Sequence, residues 1–335
     1  MRILYVGSGA VNLCLAGWMH SGAKKTTFLV RTADNEIIRT GSFQCRLPGD
    51  KNTRVYRCGA VTDLSGIERP DLVVIGVKSY SLDGVLDTIS SAFGPDITVM
   101  SVLNGVRHLE LVSTRFRNTI FATILFNAYR VSPMSAVAEG GELSLSSFQG
   151  KTEMMELIHD ILKRKTSVSL VNDPRNAVHN KLIINLGNAL LTLVAYHTHR
   201  NRELEIVQKL SAAILWEGVT VMKRHGIKEE NMAGLTPWGL LWLNKTLPTF
   251  IMLPFFKAKM RTSTINSMAQ DIQNGAEKTE LEDINGYFIQ LADRLGVEVP
   301  YNRALYHIFK EWVQTGERPM KPSVLLSRIR SFSNL

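Results

Sequence analysis

The chain is expected to fold as an α/β domain followed by an all-α domain, and three observations carry that expectation. Its first half alternates short β-branched runs with helical patterns, the signature of a largely parallel sheet. A glycine-rich turn, Gly7-Ser8-Gly9, directly follows the apolar run Ile3-Leu4-Tyr5-Val6 and opens a helical pattern. After about Gly150 the short runs give way to long helical ones.

The elements can be taken in order. Arg2–Val6 reads as a buried strand, residues 10–20 as a helix and residues 27–30 as a second strand. Between residues 42 and 61 short antiparallel pieces are expected. A Leu-Val-Val-Ile run marks a strand over residues 71–77, followed by a helix over 81–93 and a strand over 97–102. Residues 119–129 and 142–147 complete the sheet. A helix over 154–163 and a strand at Ser167–Val171 follow, and Asp173-Pro174 then introduces helices over 176–198, 203–226, 235–246, 262–273, 277–296 and 301–315. A boundary near 165–175 divides a Rossmann-type domain, 1–170, from a helical domain, 171–335, with residues 172–175 as a hinge.

Composition limits the function classes. At 335 residues there is room for two cores, and 45% apolar with 21% charged residues excludes wholesale disorder. The formal charge of +9 points to anionic partners. Lys and Arg are spread along the chain without a long basic run or nucleic-acid motif, so a phosphorylated cofactor and a carboxylate substrate fit better than nucleic acid. Cys14, Cys45 and Cys58 show neither a CxxC pair nor metal-ligand spacing; no metal is expected, and the odd count suits a reducing cytoplasm. Cys14 reads as a small core residue. The N-terminus opens into a strand, and no signal peptide is expected. The apolar stretch 240–256, interrupted by Lys245, Pro248 and Pro254, is short for a bilayer span. It reads as a buried helix pair or an oligomer contact; no membrane partner is expected, and a homodimer is left open.

The turn Gly7-Ser8-Gly9-Ala10-Val11-Asn12 has the position that dinucleotide binding requires. Gly7 permits the tight turn, Gly9 lets the backbone approach a pyrophosphate, and the helix N-terminus meets its charge. Asn12 stands where the pattern has Gly or Ala, which should loosen or shift the helix–strand contact. At the end of the second strand the chain offers Val30-Arg31-Thr32, with no carboxylate before Asp34. Arg31 can grip a 2′-phosphate with its planar fork, and Thr32 can donate to it, so the expected cofactor is NADP(H).

Chemistry is carried by two helices. In His179-Asn180-Lys181-Leu182-Ile183-Ile184-Asn185, continuing to Asn188, the residues Lys181, Asn185 and Asn188 stand at i, i+4 and i+7. A polar stripe on an otherwise apolar helix needs partners, either a polar ligand or an internal hydrogen-bond network. In the second helix Leu281, Ile284, Phe288, Leu291 and Leu295 form the apolar stripe, with Glu280 at its edge and Glu282 pointing outward. A carboxylate at such an edge is a candidate acid/base or hydroxyl-binding group, or a salt-bridged helix residue.

Gly7-Ser8-Gly9-Ala10, Arg31, Val77-Lys78, Asn104-Gly105, Lys181–Asn185, Ser267-Met268-Ala269-Gln270-Asp271, Thr279-Glu280 and Ile284-Asn285-Gly286 together resemble the ketopantoate reductases (2-dehydropantoate 2-reductases) over nearly the whole chain. Gly296 through Pro300-Tyr301-Asn302 resembles the family's C-terminal signature. The resemblance implies NADPH-dependent reduction of a 2-oxo acid to a 2-hydroxy acid, with 2-dehydropantoate to pantoate, in pantothenate biosynthesis, as the first candidate. It implies Lys181 as general acid, Glu280 on the substrate's distal hydroxyl, and Asn185 and Ser267 as substrate-positioning groups. Asn104 would orient nicotinamide and substrate, Lys78 would lie near the cofactor, and the active site would occupy the cleft between domains. His179 stands where the family often has Trp, and Asn188 is offset by one from the expected second asparagine, a place held by Ala189. The alternatives are a paralogous reductase of another 2-oxo acid and a catalytically idle NADP-binding sensor.

Overall fold

A computed structural model describes residues 1–31, 40–194, 201–233, 235–262, 266–273, 279–315 and 319–333. The chain divides into a first unit, Met1–Val178 plus Met232–Gly234, and a second, His179–Asn231 plus Leu235–Leu335.

Two sheets build the first unit. Strands β1 (Arg2–Val6), β2 (Lys25–Leu29), β5 (Gly59–Val61), β6 (Leu72–Ile75), β7 (Thr98–Ser101), β8 (Asn118–Ile124), β11 (Glu142–Ser146) and β12 (Ser167–Val171) lie in the order β12-β11-β8-β7-β6-β1-β2-β5. All neighbours are parallel except β8 and β11, which pair antiparallel. Chain order reverses between β1 and β6, the switch point where such sheets bind ligands at the carboxyl ends of their strands. The central strand β6 is buried along its whole length, as strands covered on both faces must be.

A smaller sheet holds β3 (Ser42–Arg46), β4 (Arg54–Arg57), β9 (Asn127–Ser132) and β10 (Ser135–Glu139), in the order β4-β3-β10-β9. Helix α1 (Ala10–Met19) packs against β3, β9 and β10. Its sequence is apolar on nearly every side, and all residues from Asn12 to Met19 are buried. Gly17 is required there because a Cβ would lie 2.3 Å from Cys45 Sγ. Cys14 is a fully buried free thiol in this core, as expected.

Several boundaries differ from those expected. Residues 119–129 form not one strand but β8 and β9, which belong to different sheets. Of the pieces expected as antiparallel between residues 42 and 61, β3 and β4 pair that way, whereas β5 joins the main sheet parallel to β2. Strand β10 and helix α3 (Arg107–Arg115) were not foreseen; α3 keeps only His108, Leu109 and Val112 inside, too sparse a stripe to register. Helices α2 (Leu82–Phe93) and α4 (Glu153–Leu162) follow the expected pattern.

The second unit is helical: α5 (Pro174–Asn185), which begins at the end of the first unit, α6 (Gly187–Val194), α7 (Asn201–Arg224), α8 (Trp238–Thr246), α9 (Thr249–Thr262), α10 (Ser267–Gln273), α11 (Tyr287–Leu295), α12 (Pro300–Thr315) and α13 (Pro322–Ser333), the last unforeseen. Asp173 caps α5: its Oδ1 accepts from Arg175 N at 2.9 Å, with Pro174 at the first helical position. Helix α7 approaches α5 closely at Gly218, where a Cβ would stand 3.0 Å from Leu186 and 3.2 Å from Ile183. Pairing α8 with α9 matches the helix pair expected over 240–256, but burial does not: Leu240, Trp242, Phe250, Ile251 and Phe255 are exposed. No described helix is long and apolar enough to cross a membrane.

Candidate active site

In the first unit the candidate residues converge on the carboxyl edge of the main sheet. Gly7, at φ +91°, turns the chain out of β1 while its N–H donates to Leu29 O at 3.0 Å. No side chain fits there, since a Cβ would lie 3.1 Å from Gly76 O across the switch point. Gly9 caps α1 in extended conformation, and a Cβ there would come no nearer than 3.6 Å to Gly76 O, so the N-terminal end of α1 is uncrowded where a pyrophosphate can sit. Ala10 and Val11 form the first turn of α1.

Asn12 does not loosen this junction. Its fully buried side chain donates to Val6 O at 3.0 Å and Gly7 O at 2.8 Å, tying α1 to the strand end that a glycine would only approach. Gly76 makes room for it: a Cβ at residue 76 would meet Asn12 atoms at 2.3–2.8 Å. Arg130 of β9, which sequence reading missed, donates to Ser8 O at 2.6 Å and Ser8 Oγ at 3.0 Å and so brings a guanidinium to the same loop. Arg31 is exposed two residues beyond β2. Thr32 and Asp34 lie outside the described residues. Lys78 and Asn104, both half-buried, follow β6 and β7 at the same edge.

The second unit brings Lys181 and Glu280 together from distant stretches of chain. Both are half-buried. Withdrawal from water pushes the Lys181 ammonium down to about 8, and the nearby Glu280 carboxylate opposes part of that shift. Such a lysine remains mostly charged at neutral pH yet gives up its proton far more readily than a solvated one. Its helical neighbours are committed to the protein: His179 Nε2 lies 3.1 Å from Tyr287 OH, and Asn180 donates to Lys228 O at 2.8 Å. His179 thus serves the internal packing network.

The expected single helix over 176–198 breaks at Leu186. Asn185 ends α5 one turn after Lys181, half-buried, while Asn188 belongs to α6. Fully buried Asn285 donates to Leu186 O at 3.4 Å, serving the carbonyl at the break. Asn285 itself sits in a π-turn, Glu282–Gly286, that interrupts the expected helix over 277–296 just after Glu280. Such insertions recur at functional sites because they re-aim neighbouring side chains. Asn266, which heads the stretch Asn266–Asp271 without having been given a role, caps α10 by accepting from Ala269 N at 2.9 Å and donates to Asn188 O at 3.2 Å. That bond fixes the start of α10, where Ser267 is the first residue, beside α6. An Asn just before a helical run is a capping signal, and it is that role which the structure adds. Among the described residues no His/Cys/Asp/Glu cluster could hold a metal.

The first unit has the architecture of a nicotinamide-dinucleotide-dependent oxidoreductase. Residues 3–150 match the ketopantoate reductase PanE/ApbA family, and residues 173–313 match the ketopantoate reductase PanE/ApbA C-terminal family. The chain belongs to the ketopantoate reductase family, whose members use NADPH. It is 24% identical to a 2-dehydropantoate 2-reductase of Pyrococcus abyssi over 92% of this chain and 97% of that protein. Among solved structures it resembles a PanE/ApbA family ketopantoate reductase from Ralstonia eutropha, with a TM-score of 0.75, 19% identity and coverage of 95% and 100% of the two chains. A D-mandelate dehydrogenase bound to NADH and anilino(oxo)acetate has the same fold, with a TM-score of 0.74, 20% identity and coverage of 94% and 99%.

Proposed function

We propose that this protein reduces a 2-oxo acid to the 2-hydroxy acid with NADPH, and that 2-dehydropantoate is its substrate. The observation that carries this reading is the desolvated Lys181 ammonium beside Glu280 on a half-buried helix. The dinucleotide, cradled by Gly7 to Val11 with Lys78 and Asn104 nearby while buried Asn12 holds the turn in place, supplies a hydride when bound. As charge builds on the carbonyl oxygen, Lys181 stabilises it and delivers the proton. Glu280 accepts a hydrogen bond from the substrate's distal hydroxyl, and Asn185 and Ser267 orient the oxo acid, Ser267 at its carboxylate. A role in the cytoplasm as a small-molecule enzyme follows from this reading; a homodimer is compatible with it. A second reading, a reductase of another 2-oxo acid, is favoured by the likeness to the D-mandelate dehydrogenase fold.

Glu280→Ala tests the substrate assignment. The KM for 2-dehydropantoate is expected to rise at least about tenfold, while activity on 2-oxo acids without the distal hydroxyl changes little. Equal losses on both kinds of substrate would remove Glu280 from hydroxyl recognition and favour the second reading.

Arg31 is assigned to the 2′-phosphate. Arg31→Ala is expected to weaken NADPH binding by roughly 1.5–3 kcal/mol, the worth of a hydrogen bond to a charged group, and to leave NADH nearly untouched. Fluorescence titration of both cofactors measures this; wild-type protein that binds NADH and NADPH equally would rule the assignment out.

A further inference from the structure

Arg130 brings positive charge to a place that is already positive. Along β9 its side chain shares a face with that of Ala128, and Ala136 and Ala138 of β10 stand directly opposite these two. All three alanines pack into the core around α1. Arg130 is the polar end of this apolar row. It donates to Ser8 O at 2.6 Å and Ser8 Oγ at 3.0 Å, and Ser8 directly precedes Gly9, the N-cap of α1. Ser8 is buried whereas Arg130 is exposed, so one nitrogen is fixed to the turn while the rest of the guanidinium stays accessible.

A cation is poorly placed there. The N-terminal end of a helix carries partial positive charge from its unpaired N–H groups, which favours anions and opposes a guanidinium. The first turn of α1 holds no acidic residue, and among the described residues no carboxylate pairs with Arg130. Glu139 of β10 lies on the opposite face of the sheet, where it accepts from Tyr129 OH at 3.2 Å. Two positive groups therefore converge on the turn, and the protein supplies no anion between them. Only Nη2 is engaged by Ser8, which leaves the other N–H donors of the planar fork for a ligand.

We infer that Arg130 binds the pyrophosphate of the dinucleotide, held at the turn by Ser8 with its remaining donors on the phosphate oxygens. The inference rests on dinucleotide binding at Gly7–Val11 and is independent of the reduction at Lys181. The pyrophosphate is the group expected at this turn after β1, whereas Arg31, assigned to the 2′-phosphate, follows β2.

Fluorescence titration of NADPH and NADH against wild type, Arg130→Gln and Arg130→Lys tests this. Gln keeps an amide donor for Ser8 O but no charge, and Lys keeps the charge without the fork. Both cofactors carry the pyrophosphate, so Arg130→Gln should raise the Kd of each by the same factor, on the order of tenfold or more. Arg130→Lys should bind both at least about threefold more tightly than Arg130→Gln, because an ammonium still meets phosphate as a point charge. The wild-type Kd should also rise more steeply with added salt than that of Arg130→Gln. Thermal melts verify that both variants fold. Wild-type affinity in Arg130→Gln overturns the inference, as does a loss confined to NADPH, which would move Arg130 to the 2′-phosphate. Equal weakness of the Lys and Gln variants with an unchanged salt slope also overturns it, leaving Arg130 only a brace for Ser8. Wild-type protein that binds neither cofactor would instead overturn dinucleotide binding at the turn, and this assignment with it.

Discussion

Lys181→Ala is expected to lower kcat on the order of 10²–10⁴-fold, the range for loss of a positioned general acid. The same change removes the charge that stabilises the developing alkoxide. Because the ammonium is held out of water and pushed down to about 8, the wild-type rate should fall as pH rises through about 8, where an ordinary lysine at 10.5 would still be charged. In Lys181→Ala that alkaline limb should vanish along with the rate. NADPH affinity should hold, since the glycine cradle and Arg31 lie in the other unit. Steady-state kinetics across pH, with melts to verify folding, measure both effects. A folded variant with near wild-type kcat would exclude Lys181 as the acid.

Gly76→Ala is expected to damage the first unit although it adds a single methyl. The added Cβ falls 2.3 Å from Asn12 Oδ1 and drives out a side chain that holds Val6 O and Gly7 O. Val6 O keeps the Gly76 N–H at 3.2 Å, but Gly7 O is stranded, at a cost of about 1–3 kcal/mol, so a loss of about that size is expected. The Tm should drop by roughly 3–10 °C, with weakened NADPH binding because Gly7 begins the cradle. Asn12→Ala also loses these hydrogen bonds but opens the space, so the double variant should be little worse than Asn12→Ala alone. Additive losses would show that Gly76 and Asn12 are not one packing unit.

This pair also shows where the sequence stops being readable. Gly7 and Gly9 could be placed from their position after an apolar strand. Asn12 looked like a defect because its counterpart, Gly76, arrives only when β6 is laid beside β1. Lys181 and Asn185 were legible as a polar interruption of an apolar helix. The break at Leu186 was not, because the carbonyl there is served by Asn285, from a helix far along the chain. Arg130 was invisible for the same reason: an exposed strand arginine acquires meaning only through its contact with Ser8. Local pattern found groups that must be polar where neighbours are apolar; it could not find groups whose partners are brought in by topology. Over 240–256 only the first of the two expected readings, a buried helix pair, is at odds with the exposed side chains, since apolar periodicity implies burial only when something covers the stripe.

The most direct measurement is NADPH oxidation by the purified protein, wild type and Lys181→Ala side by side, over a panel of 2-oxo acids that includes 2-dehydropantoate. Wild-type protein should turn over at least one 2-oxo acid to its 2-hydroxy acid, with highest kcat/KM on 2-dehydropantoate, and Lys181→Ala should be slower by at least about a hundredfold. Wild-type protein that binds NADPH but oxidises it no faster than Lys181→Ala with every member of the panel would contradict a reductase and leave a dinucleotide-binding sensor in its place.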